Sequence, residues 1–97
     1  MKNDYKVTTI INLTGVTNNR DLHLLFKEKL VFPNFYGENW AAFWDAITGL
    51  IEMPSELVFQ GWSNFNKNLP SDAAMLKEIL DEYNKEVASQ KCEIYFR

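Results

Sequence analysis

The sequence has little of what staples, punctuates or catalyses in a small protein. It holds one cysteine, Cys92, which excludes an intrachain disulfide and a Cys-rich zinc site. Prolines number three and glycines four, none of them clustered. There is thus no Gly-rich phosphate loop, no linker and no low-complexity tract. His23 is the one histidine. No Ser-His-Asp order is plausible by spacing, and Glu38 and Asp45 are too far apart to suggest an acid–base pair. No enzyme activity, cofactor or metal is expected. Lys and Arg total 10 against 13 acids, for a net charge of −3, which leaves no basic face for nucleic acid. No apolar run reaches the length of a signal h-region or a membrane span. An unstapled domain relies on packing and suits a reducing compartment. The expectation is a soluble, cytoplasmic protein.

What is present is bulk for a core. The 97 residues (11.3 kDa) are 46% hydrophobic and include seven Phe, four Tyr and three Trp. That amounts to one domain, residues 1–97. Tyr5 to Leu13 is rich in β-branched residues and reads as a strand broken by Gly15. Asn18 or Asn19 can cap a helix in which Leu22, Leu25, Phe26 and Leu30 form one apolar stripe. Pro33 stops it. Asn39 caps a second helix, predicted to reach Ile51, with Trp40, Phe43, Trp44, Ile47 and Leu50 on one arc. Leu57-Val58-Phe59 reads as a strand covered on both faces. Gly61 to Lys67 is a connector of about one turn. Pro70 starts a helix running to Ser89, and Cys92 to Phe96 closes the chain as a strand. Long helical connections between strands predict an α/β fold, a small three-stranded parallel sheet packed with about four helices.

Charge is unevenly spread. Residues 30–66 contain no Lys, Arg or His, yet carry Glu38, Asp45, Glu52 and Glu56. A negative surface there would attract a cationic partner. Ala41, Ala42, Thr48 and Gly49 flank Asp45 on the helix, so nothing bulky screens its carboxylate. Gly49 costs its helix about 1 kcal/mol relative to Ala, which suggests close approach by another backbone or fraying near a helix end. Phe35 and Tyr36 stand beside this face, either as contacts or as plugs on the core. An exposed Asp on a helix is ordinarily only solvated. His23 reads as a structural histidine and Cys92 as an inert core thiol.

The run Phe35-Tyr36-Gly37-Glu38-Asn39-Trp40, followed by Trp44-Asp45 and Thr48-Gly49, resembles the central signature of the barstar family. Asp21-Leu22-His23, the loop at Pro33 and the final strand led by Cys92 extend the likeness over nearly the whole chain. The resemblance implies a barstar-like fold and an inhibitor of a small, barnase-like, guanyl-preferring ribonuclease. It implies that Asp45 meets the basic cluster that normally holds a phosphate. It assigns Phe35 and Tyr36 as aromatic contacts, Asn39 as a hydrogen-bonding group, and Gly37, Trp44, Thr48 and Gly49 as further partner-binding residues. A further acid near the end of the last long helix corresponds to Glu82 or Glu86, of which Glu86 is chosen. Departures are Ala41 in place of a second acid, Leu50 in place of an aromatic, Phe35 in place of a Tyr, and Ala46 in place of a cysteine. The expected partner is a basic ribonuclease, bound by a chain that is a monomer when free, with no nucleic acid and no membrane. The alternative is an immunity or interaction module on the same fold for a different basic toxin or nuclease.

Overall fold

The structure, a computed structural model, describes residues 6–87 and 91–97. Its elements are β1 (Thr8–Asn12), α1 (Asn19–Lys29), α2 (Trp40–Asp45), a π-helical turn (Ala46–Leu50), β2 (Glu56–Gln60), α3 (Trp62–Asn68), α4 (Pro70–Glu86) and β3 (Glu93–Phe96). The three strands are parallel in the order β1-β2-β3. Thr8 pairs with Glu56, and Glu56 in turn with Glu93. The α/β class, the parallel sheet and the helix count agree with the sequence expectation.

Helix ends fall where side chains satisfy orphan amides. Asn18 caps α1 by accepting from the Asp21 amide at 2.8 Å, a contact worth about 1 kcal/mol. Asn39 caps α2 the same way, accepting from Ala42 at 2.7 Å. Pro70 occupies the first turn of α4, where no amide partner is lost. The end of α1 is less comfortable. Phe32 N donates to Lys27 O across Val31, whose φ is +55°. A β-branched residue in the left-handed region is strained by about 1–2 kcal/mol.

Four expectations need correction. The middle strand is not covered on both faces. Leu57 and Phe59 are fully buried, whereas Val58 on the alternate face is only half-buried and its neighbour Ile10 in β1 is 51% exposed. The cause is topology. Two right-handed crossovers taken in the same direction put both sets of helices on one face of the sheet, so the other stays open. The second helix does not run to Ile51 as an α-helix. After Asp45 it widens, and Ile51 N donates to Ala46 O. The Thr48 hydroxyl donates to Trp44 O at 2.6 Å, competing for the carbonyl that its own amide would take in an α-helix. The connector at 61–67 is instead the helix α3. The long helix ends at Glu86; the predicted residues 88–89 lie outside the described residues, as does Tyr5 of the predicted first strand.

Beneath the helices, Leu22, Phe26, Phe43, Ile47, Phe65, Leu76 and Leu80 meet the sheet's buried face in one core. Gly61, at φ +70°, sits against Thr14, where a Cβ would overlap the Thr14 side chain and backbone. Only glycine fits that crossing.

Candidate functional site

The segment singled out by sequence, 35–49, forms a loop, a short helix and a π turn at one surface. Its anchoring residues point inward. Trp40 Nε1 donates to Asp72 Oδ1 of α4 at 3.0 Å, and Asn19 Nδ2 of α1 donates to the same oxygen at 2.9 Å. One carboxylate oxygen thus ties α1, α2 and α4 together. Phe43 is fully buried, and Trp44 is half-buried and packed on the core.

The two adjacent aromatics divide. Phe35 is 75% exposed, whereas Tyr36 is 5% exposed. The Tyr36 hydroxyl lies 2.6 Å from His23 Nδ1. Burial raises the Tyr36 phenol well above its ordinary value, helped by nearby Glu38, so it keeps its proton and can donate. The imidazole then accepts at Nδ1 and carries its hydrogen on Nε2, the arrangement that leaves fewest groups unpaired. Among the described residues His23 Nε2 has no hydrogen-bond partner. Burial lowers the His23 pKa, with Asp72 and Glu38 opposing. Tyr36 tethers the loop to the core; Phe35 is the aromatic available to a partner.

The remaining site residues sort by whether the fold already uses them. Asn39 is exposed, but its Oδ1 caps α2 and its Nδ2 donates to Gly37 O at 3.0 Å. At Gly37 a Cβ would stand 3.3 Å from both Ala42 Cβ and Asn39 Nδ2, so its smallness has a local reason. The Thr48 hydroxyl is exposed and engaged with Trp44 O. Gly49 differs from all of these. Its φ is not positive, and an added Cβ would meet nothing within 4 Å. Among the described residues nothing crowds an added side chain there. Gly49 sits in a π turn, a rare form that is frequent at functional sites.

The acids of 30–66 do not behave alike. Glu38 is 3.7 Å from Arg20, and Glu56 is 3.8 Å from Lys6. Both cations come from outside the stretch, so the local absence of Lys and Arg in the sequence overstates the negative patch. Asp45 and Glu52 are exposed, and among the described residues no cation lies within ion-pair distance of either. Asp45 therefore presents an uncompensated carboxylate beside Gly49 and the exposed Leu50. Glu52 and Leu50 were not among the sequence-chosen contacts. Glu52 had been counted only within the cation-free stretch, and Leu50 only as a departure from the family pattern.

On α4, Glu82 and Glu86 are both exposed. At 100° per residue they lie about 80° and 40° around the helix from Asp72, which faces α2. Cys92 is buried, and burial pushes its thiol to about 11, so it is held as S–H rather than as a nucleophile. No helix among the described residues is long and apolar enough to cross a membrane.

Comparison with known proteins places the chain in a family. The family model "Barstar (barnase inhibitor)" matches residues 7–97. The chain is 35% identical over 81 residues to the Bacillus subtilis (strain 168) protein named "Putative ribonuclease inhibitor YrdF", a match covering 84% of this chain and 89% of that protein. The match of the family model over nearly the full length, together with this relative, makes the chain a member of the barstar family, a family of inhibitors rather than enzymes.

Proposed function

We propose that the protein binds a small, basic, barnase-like ribonuclease and blocks its active site with Asp45. The single observation that carries this reading is an exposed carboxylate with no cation in reach among the described residues. A nuclease cleft grips phosphate with Arg, and Arg binds a carboxylate in the same forked geometry. Asp45 therefore substitutes for a phosphate. Phe35 packs against the partner's rim, and Gly49 lets the partner's backbone approach the π turn. Thr48, Trp44, Asn39, Gly37 and Tyr36 shape the surface. Of these, Tyr36 and Asn39 act mainly by holding the loop. Glu86 adds a charge from α4, with Glu82 as its alternative. Complex formation is one to one, and the free chain is a monomer when dilute. The inhibitor works in the cytoplasm, where the cell's own RNA needs protection.

An RNA-cleavage assay titrated with the protein tests this reading. Activity of a barnase-like nuclease should fall linearly to zero at a molar ratio near one. Undiminished cleavage by several such nucleases at excess protein would remove the assignment. If a basic toxin of another class is captured from the native extract instead, the same face serves a different partner.

A further inference from the structure

Pairing with β2 uses only half of the backbone of β3. Glu93 N donates to Ser55 O at 2.8 Å, and Arg97 N donates to Phe59 O at 2.7 Å. In a parallel ladder alternate residues face the neighbour. Glu93, Tyr95 and Arg97 thus turn their peptide groups to β2, and Cys92, Ile94 and Phe96 turn theirs outward. The outward groups of Cys92 are already taken. Asn84 of α4 accepts from Cys92 N at 2.9 Å and donates to Cys92 O at 2.8 Å. That side-chain amide stands where the next strand's peptide would stand. Nothing among the described residues does the same for Ile94 or Phe96. A strand edge left open in this way is a template for another strand.

We infer that this edge pairs with β3 of a second copy of the chain, antiparallel, about a two-fold axis through Tyr95. The register follows from the free groups. Setting Ile94 opposite Phe96 of the second copy, and Phe96 opposite its Ile94, lets each pair exchange both backbone hydrogen bonds. One neighbouring register opposes Phe96 to Cys92, which Asn84 already holds. The other leaves Ile94 with nothing in β3 opposite. The chosen register also sets Glu93 opposite Arg97 of the second copy, twice by symmetry, on the sheet's open face.

The helix side is complementary under the same axis. Lys77 Nζ lies 4.9 Å from the Phe96 ring centre, and Asn84 holds Cys92. Helix α4 therefore runs antiparallel to β3, with Asp81 near the level of Ile94. The axis that exchanges Phe96 with Ile94 turns Lys77 of each copy toward Asp81 of the other. Between α4 and β3 lies an open groove of about 690 Å³, bordered by Leu80, Ile94 and Phe96, with room for the incoming side chains. The strand has four residues, so the contact is small. Interfaces below about 1,200 Å² are weak, and the dimer forms only at high concentration. Lys77 lies about 140° around α4 from Asp72, which faces α2, so pairing leaves the Asp45 surface uncovered. The inference therefore does not rest on nuclease inhibition.

Sedimentation velocity on the full chain, from micromolar to millimolar concentration, tests it. The weight-average mass should climb from 11.3 kDa toward twice that value. Glu93→Arg and Arg97→Glu should each lower the association constant about tenfold by opposing like charges at two symmetric positions. The double variant E93R/R97E should regain it. Ile94→Pro removes an outward amide without touching the ladder to β2, and should abolish the dimer while circular dichroism stays native. If that variant misfolds, the charge swap decides. A mass fixed at 11.3 kDa throughout, or a dimer indifferent to both reversals, overturns the inference.

Discussion

The acids on the two flanks of α4 are treated differently by the fold. On the β3 side, Asp81 is 3.0 Å from Lys85, Glu93 is 4.0 Å from Lys6, and the Tyr95 hydroxyl donates to Glu93 at 3.1 Å. On the α2 side Glu38 is 3.7 Å from Arg20, but Asp45 has no such neighbour among the described residues. The glycines divide in the same way. Gly61 is dictated by its positive φ and the Thr14 contact, whereas at Gly49 nothing among the described residues crowds an added Cβ. That difference makes Gly49 a place where the proposed contact can be tested.

The largest expected effect separates the two flanks outright. Asp45→Ala should weaken nuclease binding by about 3–6 kcal/mol, because it leaves the partner's Arg buried and unpaired. Its unfolding free energy should stay within about 0.5 kcal/mol of wild type. Calorimetric titration and urea unfolding measure the two. A collapse of stability would make Asp45 structural. Next comes Gly61→Ala, expected to cost about 2 kcal/mol or more of stability from the positive φ and the overlap with Thr14.

Gly49→Ala sharpens the contrast, since its two readouts should move in opposite directions. Stability should rise by about 0.5–1 kcal/mol through helix propensity and lost unfolded-state freedom. Affinity should fall, because the added methyl stands in the partner's path. A variant that is both more stable and equally tight would remove Gly49 from the interface.

The smallest effect concerns pH. His23 has a lowered pKa when folded, chiefly through burial. The unfolded chain, titrating near 6.5, therefore binds more protons than the native state below that pH. Stability should be flat above neutrality and fall as pH drops through the unfolded value. The loss is complete once pH passes the folded value. Urea midpoints at several pH values, compared with His23→Gln, check this; the variant should lose that component of the slope.

Much of this was legible in the residues. The stripe Leu22-Leu25-Phe26-Leu30 and the caps Asn18 and Asn39 located α1 and the start of α2, because helix period and capping are local. The signature from Phe35 to Gly49 located the candidate surface. What escaped was decided at a distance. Whether Tyr36 faced out or in depended on His23, thirteen positions earlier. Arg20 and Lys6 reach into a stretch that has no cations of its own. The bare face of the sheet follows from two crossovers taken the same way, which no strand's own pattern records. The π turn depends on a hydroxyl competing with an amide for one carbonyl.

The hydroxyl of Tyr36 on His23 has a consequence for speed and heat. A loop nailed to the interior at its midpoint has few conformations to surrender on binding. The ordering entropy that commonly erodes affinity is settled during folding instead of at encounter. Collision should convert to capture with little rearrangement, and Tyr36→Phe, which frees the nail while keeping the ring, should slow that conversion before it alters any contact.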